Sequence, residues 1–386
     1  MILYASILIF LYLTLRFILP LPVSRTGKWI LTLLFLVISQ YHHVLRWHFG
    51  TLAAAELPVP VLLCTSWLFI SLILLFVFQL IRDLGGIVLA LLRKLTRFPG
   101  PIFAPLLPRR ITALLLCCIS MALSAYGERE AVRVPDVREV DAILPGLPRE
   151  LDGAAIVQIS DLHVSPLLNA PRVRAVVDKA NALQADLILL TGDMTDGRVE
   201  RRTQDVAPLK DLRAAFGVFA CEGNHEYYSG YAEWREAFAR LDLPVLRNEH
   251  KVVNVRGVPV VLAGVTDPVA ERFDLPMPDA EKAFAGAPEG LFRVLMAHQP
   301  GKAGEYARAG VDLMLSGHTH GGQIRGFDDI VAARNNGFVR GWYTVDAMRL
   351  YVSTGAGLWN GFPVRLGVPS EIARITLRSG AAPELP

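Results

Sequence analysis

Apolar positions are distributed along this chain in two different ways. In the first third they form long runs with few charges: residues 2–21, interrupted by Arg16, then 28–44, 59–81 and 110–126. Each run approaches the roughly 20 residues that a helix needs to cross a bilayer. The pattern predicts a membrane domain of about four transmembrane helices within residues 1–127. The first run lacks the basic start and small-residue cleavage site of a signal peptide and is read as a span. Beyond the third run, Leu84, Ile87, Val88, Leu91, Leu92 and Leu95 recur at helical spacing, with Arg93, Lys94 and Arg97 mostly off that stripe. That spacing fits an interfacial helix and equally a prolongation of the third span. A Pro-rich turn over residues 99–108 precedes the fourth run.

After a linker at 128–150 the runs shorten and alternate with helix-like segments. Residues 156–160, 187–191, 218–221, 260–265, 293–297 and 313–316 read as buried strands. Residues 171–183 place Val173, Val176, Val177 and Ala180 on one face, with Pro171 in the first turn, and read as a helix. This βαβ rhythm predicts an α/β fold with a largely buried sheet over residues 151–386, long enough for one sizeable core.

Charge adds orientation. Arg25 and Lys28 lie between the first two spans, and Arg82, Arg93, Lys94, Arg97, Arg109 and Arg110 between the third and fourth, whereas the second connection offers mainly Arg46. The positive-inside rule makes the two basic connections cytoplasmic. The expectation is a multi-pass protein of a bacterial inner membrane, with the C-terminal domain on the outer, periplasmic face. A different span count would move that domain to the cytoplasm. A net charge of +3 is too small to indicate a nucleic-acid partner. The four cysteines, Cys64, Cys117, Cys118 and Cys221, show no disulfide framework, and Cys221 is read as a small core residue.

The candidate chemistry sits directly after the predicted strands. Asp161 and His163 follow the first, Asp193 the second, Asn224 and His225 the third, His298 the fifth, and His318 and His320 the sixth. Ligands in α/β sheets gather beyond the carboxyl ends of strands, so these loops are expected to converge. Oxygen and nitrogen donors without thiolate favour manganese, iron, zinc or cobalt over an all-oxygen site. A carboxylate bridging two cations would share a hydroxide formed at neutral pH, a nucleophile suited to phosphorus esters. Gly192, Gly223 and Gly317 immediately precede ligand-type residues, where a side chain would crowd a sharp turn.

The ordered set Asp161-Leu-His163, Gly192-Asp193-Met-Thr-Asp196, Gly223-Asn224-His225-Glu226, His298 and Gly317-His318-Thr-His320 resembles the calcineurin-like metallophosphoesterase superfamily over about residues 155–378. The resemblance implies a four-layer α/β/β/α sandwich of mixed sheets, here preceded by the N-terminal transmembrane helices. It also implies two divalent metal ions, manganese, iron or zinc. Asp161, His163 and His320 would hold one, Asn224, His298 and His318 the other, and Asp193 would bridge them. By the same resemblance His225 contacts the scissile phosphate and protonates the leaving oxygen, and Asp196 holds its imidazole. The membrane-attached bacterial branch is the nearest match; it shares His318-Thr-His320-Gly-Gly-Gln323 and the segment from Gly355 to Glu371, in which Gln323 and Arg365 are either substrate contacts or loop residues.

The reading that follows is a membrane-anchored phosphodiesterase or phosphomonoesterase, its partners the bilayer and a phosphoester, lipid-linked or of nucleotide type. Alternatives are a hydrolase of a UDP-diacylglucosamine-type pyrophosphate, which requires a cytoplasmic site, and a metal- or phosphate-binding membrane sensor without turnover. Residues 266–290 are read as a lid or a surface loop.

Overall fold

The computed structural model describes residues 2–52, 55–96 and 108–380. Most of the turn expected over 99–108 lies outside the described residues. The chain forms two compact units, Met1–Leu52 with Leu57–Arg129, and Ala53–Glu56 with Glu130–Pro386.

The first unit contains α1 (Ile2–Leu13), α2 (Arg25–Phe49), α3 (Val59–Thr96) and α4 (Arg109–Val132), of which α1 runs into a π-helical turn, Thr14–Ile18. By length and composition α2, α3 and α4 are able to cross a membrane, whereas the N-terminal apolar helix is shorter, Tyr4–Ile18. Ser24 starts α2 by accepting a hydrogen bond from the Gly27 amide, and Gly50, at φ 76°, ends it in the left-handed conformation. Helix α3 is unbroken over 38 residues. The stripe from Leu84 onward therefore prolongs the third helix. At 1.5 Å per residue it is about 57 Å long, well beyond the ~30 Å thickness of a bilayer's hydrocarbon core. Arg16 pairs with Asp83 of α3 at 2.9 Å, and Arg110 donates to the carbonyl of Pro22 at 2.8 Å.

The second unit contains β1 (Asp136–Leu144), β2 (Ala155–Ile159), β3 (Leu187–Thr191), β4 (Val218–Cys221), β5 (Val245–Leu246), β6 (Glu249–Val255), β7 (Val258–Gly264), β8 (Phe292–Met296), β9 (Leu313–Ser316), β10 (Gly341–Val345), β11 (Met348–Val352) and β12 (Glu371–Ser379). They form two six-stranded sheets, in the orders β1-β12-β2-β3-β4-β5 and β10-β11-β9-β8-β7-β6. Both are mixed. In the first, β2, β3 and β4 run parallel while β12 is antiparallel to β2; in the second, β7, β8 and β9 run parallel while β6 and β10 are antiparallel edges.

Alternation along each strand builds the layers. Ile156, Leu187 and Leu189 of the first sheet meet Leu262, Val294 and Leu313 of the second in one buried cluster. The residues between them face outward: Val157, Ile159, Ile188 and Leu190 pack on Val173, Val176 and Val177 of the helix Ala170–Ala182 and on Trp234. On the far side Val261, Ala263 and Leu295 pack on Ala283, Phe284 and Tyr306. The result is the four-layer α/β/β/α sandwich, because strands buried on both faces need a helical layer outside each sheet. The segment 266–290 belongs to this packing, with a 3-10 turn at Pro268–Phe273 and the helix Ala280–Phe284.

Candidate metal centre

The carboxyl ends of β2, β3, β4, β8 and β9 bring the expected residues together. Asp161, His163, Asp193, His318 and His320 all adopt the left-handed conformation, at φ 54°, 46°, 51°, 69° and 48°. For residues other than glycine this costs roughly 1–2 kcal/mol each, and such strain concentrates at functional sites. Backbone bonds between the loops hold it in place. The amides of Asp161 and His163 donate to the carbonyls of Gly192 and Asp193, both at 3.0 Å, and that of Gly317 to His298 at 2.9 Å. Two glycines are required by close approach: a β-carbon at Gly223 would collide with Asp193, and one at Gly317 with Ser160 and Asp161.

Three triplets of donor atoms lie within 4.8 Å of one another: Asp161, His163 and His320; His163, Asp193 and His225; and Asp193, His298 and His318. In the first, the Nε2 atoms of His163 and His320 are 3.3 Å apart, and Asp161 Oδ1 lies 3.9 and 3.6 Å from them. Asp193 is central, its Oδ2 being 3.1 Å from His298 Nε2 and 3.7 Å from His163 Nε2.

The hydrogen bonds at the far side of each ring determine what the near side offers. His298 Nδ1 lies 2.8 Å from the Thr191 carbonyl, and His163 Nδ1 lies 3.1 Å from Asp196 Oδ1. A carbonyl or carboxylate only accepts, so both rings carry the proton on Nδ1 and present the Nε2 lone pair inward, as metal-binding histidines do. His298 Nε2 and Asn224 Oδ1 are buried without a hydrogen-bond partner. Buried polar atoms left this way are costly unless a cation engages them. The residues therefore fit bound divalent metal, and both chain neighbours of Asn224 adjoin Asp193.

Burial pushes His298 down, but Asp193 and Asp161 outweigh it and hold the imidazole well above its ordinary value, so the site draws positive charge toward these carboxylates. Burial pushes Asp193 upward, but His298 and His225 outweigh it and hold the carboxylate well below its ordinary value. Burial and the neighbouring His298 push His318 down to about 3, leaving it a neutral donor. His225 differs from His163 and His298 in exposure: its Nδ1 lies 2.5 Å from Asp196 Oδ1, and its side chain remains 12% exposed. Asp196 Oδ1 thus serves two imidazoles, orienting His163 toward a metal and fixing His225.

Two further residues support the site, Glu226, to which the sequence assigned no role, and Arg365, which it left as either a substrate contact or a loop residue. Glu226 accepts backbone hydrogen bonds from Asp193, Met194, Thr195 and Gly223, which ties the β3 loop to the β4 loop. Arg365, 1% exposed, donates to the carbonyls of Thr354, Gly355 and Gly357 at 2.7, 3.3 and 2.9 Å and to those of His320 and Val368, both at 3.4 Å. Its guanidinium is spent on the loops around the ligands and is withdrawn from substrate. Arg365→Met is expected to lower stability by about 3 kcal/mol, since removing a buried charged donor leaves several carbonyls unsatisfied. Thermal unfolding of the metal-loaded protein measures this.

Two facing mixed sheets with histidine, carboxylate and amide donors gathered at one rim define a metallohydrolase. The calcineurin-like phosphoesterase profile matches residues 154–322. An uncharacterized metallophosphoesterase of Helicobacter pylori is 35% identical over 262 residues, covering 67% of this chain and 68% of its own. A transmembrane protein with metallophosphoesterase domain from Danio rerio is 33% identical over 273 residues, covering 68% of this chain and 62% of its own. Among solved structures, the calcineurin-like phosphoesterase YfkN from Bacillus subtilis aligns with a TM-score of 0.37 and 16% identity, over 54% of this chain and 82% of that one. The chain belongs to the calcineurin-like metallophosphoesterase family, and its long apolar helices associate it with a membrane.

Proposed function

We propose that this protein hydrolyses phosphodiester bonds with two divalent metal ions, manganese, iron or zinc, and with His225 as general acid. Asp161, His163 and His320 would hold one ion, Asn224, His298 and His318 the other, and Asp193 would lie between them. The observation that carries the reading is the convergence of donor atoms on Asp193, with Asn224 Oδ1 buried without a hydrogen-bond partner and His298 Nε2 facing only the Asp193 carboxylate. When bound, the cations supply a nucleophile drawn from water at neutral pH and neutralise the phosphoryl oxygens.

The chain's own part is to orient and to move a proton. Asp196 engages His225 Nδ1, so Nε2 is the atom free to meet the departing oxygen. Burial lowers the affinity of His225 for its proton, but Asp196 and Asp193 raise it to about 9, so the ring is charged at neutral pH. Bound cations would counter part of that rise.

The anchor would be a bacterial inner membrane, with the catalytic unit on the outer face. Besides the basic first and third connections, this is supported by Ala53–Glu56, which lies between α2 and α3 yet belongs to the catalytic unit, where Glu56 pairs with Arg202 at 2.6 Å. That pair requires α3 and α4 both to cross or neither to cross. A C-terminal reporter active only outside the cytoplasm supports this placement; one active only inside overturns it and favours the UDP-diacylglucosamine-type pyrophosphate.

The central experiment strips the full-length protein with a chelator and follows bis(4-nitrophenyl) phosphate hydrolysis. Turnover is expected to disappear and to return with added manganese, iron or zinc. The unfolding temperature is expected to rise on reloading, because cations that bind the folded state stabilise it. Turnover that survives exhaustive chelation contradicts the reading, and metal binding without turnover of any ester points to the sensor.

A further inference from the structure

Beside His225 the structure places aromatic rings that the hydrolytic chemistry leaves unused. Tyr228 lies 5.5 Å from the imidazole, centroid to centroid, and Trp359 lies 6.4 Å from it. Phe273, 41% exposed, continues from Tyr228 at 6.2 Å. The three come from separate parts of the chain: the helix Asn224–Tyr228, the turn Pro268–Phe273 and the segment between β11 and β12. Tyr228 packs on the buried cluster of Tyr227, Val269 and Ala270, and Phe273 lies 5.9 Å from Tyr227, yet Tyr228 and Trp359 are only partly buried and Phe273 is exposed, so all three also present surface to solvent. The indole of Trp359 is specifically accommodated, since any β-carbon at Gly361 would run into its six-membered ring.

We propose that these rings form the pocket for the alcohol that departs at His225, and that this alcohol is apolar, so that the substrate is an amphiphilic phosphate ester that leaves on its acyl- or alkyl-bearing side. This deepens the phosphodiesterase reading and rests on it. Whatever is bonded to the oxygen that His225 protonates must pass beside that imidazole, and the surroundings there are Tyr228 and Trp359. A nucleobase held between two of these rings would instead need their faces parallel. Here Tyr228 and Phe273 are tilted 48° to one another, and Tyr228 and Trp359 stand at 69° and 57° to the imidazole. Such a tilted wall suits flexible chains. A chain with bilayer-length helices works where such amphiphiles reside.

The step balances without any redox partner. A water oxygen forms a new bond to phosphorus, and the bond from phosphorus to the apolar alcohol breaks with its electron pair remaining on that oxygen. The oxygen takes the proton from His225 Nε2, and the proton lost by the water returns His225 to its starting state.

The test uses the full-length, metal-loaded protein in an amphipathic polymer. It compares the methyl phosphodiester of glycerol with that of dihexanoylglycerol, kept below its micelle concentration, and follows release of the glycerol-side alcohol. Bis(4-nitrophenyl) phosphate serves as the control for hydrolysis as such. Wild type is expected to favour the dihexanoyl ester in kcat/KM by about 30-fold or more. Trp359→Ala and Phe273→Ala should each reduce that ratio about tenfold, with Trp359→Phe restoring part of it. A wild-type ratio near one, a ratio untouched by both alanine variants, or a preference for an adenosine-bearing diester overturns the proposal while the hydrolase reading stands. Turnover of none of these esters, the bis-aryl control included, overturns both. Phe273 is exposed enough for its variant to fold, which keeps the comparison decisive if Trp359→Ala does not.

Discussion

Asp193→Asn is expected to reduce turnover by about a thousandfold or more and to abolish the rise in unfolding temperature that metal produces. The substitution preserves size, and the amide oxygen can still accept the hydrogen bond that His225 N–H donates to Asp193 Oδ1 at 2.8 Å. What disappears is the negative charge toward which His298, His163 and His225 all turn, at 3.1, 3.7 and 4.0 Å. A neutral amide bridges two cations poorly, and metal polarisation supplies several kcal/mol of transition-state stabilisation; losing about 4 kcal/mol corresponds to about a thousandfold. Metal content by mass spectrometry, alongside melting curves with and without manganese, checks this. A variant that still binds two ions per chain at wild-type affinity would rule out Asp193 as the bridge.

His225→Ala should behave differently. Metal content and metal-dependent melting are expected to stay near wild type, because Asp161, His163, His298, His318 and His320 keep their partners and His225 contributes a proton instead of a lone pair. Hydrolysis of a diester with an alkyl leaving group should fall by about 10²–10⁴-fold, the usual worth of a positioned general acid. For bis(4-nitrophenyl) phosphate, whose leaving phenolate is stable without a proton, the loss should be much smaller. Equal losses on both esters would show that His225 acts only through contact with the phosphate. Both outcomes are read from kcat at saturating metal.

The candidate ligands were legible before the fold because each sits two to four residues beyond a strand written as a largely apolar run. Such runs stand out when both faces of a strand are buried, as in β2, β3 and β9, every residue of which is buried. The edges were illegible for the complementary reason. β1, an edge strand, and its neighbour β12 intersperse charges among apolar residues, and their pairing is completed by partners more than 200 residues apart, Glu139 with Arg374 at 3.0 Å and Asp141 with Arg378 at 3.1 Å. Neither half of such a pair looks like a strand alone. β6, with its exposed Glu249 and Lys251, was hidden in the same way. Arg365 was ambiguous because an arginine in a loop carries no sign of being buried among carbonyls. Tyr228, Phe273 and Trp359 are far apart in sequence and share no spacing, so only the fold reveals them as neighbours.

The four residues Ala53–Glu56 make the two units interleaved instead of tandem. A protein beginning at Glu128, or one shed by a single cut after α4, would lack Glu56, leaving Arg202 without that partner and uncovering Gly197, the residue next to Asp196. The anchor and the enzyme are therefore not exchangeable cassettes: a chimera that replaces the helices must carry this tetrapeptide over with the catalytic unit, or lose part of the wall behind its general acid.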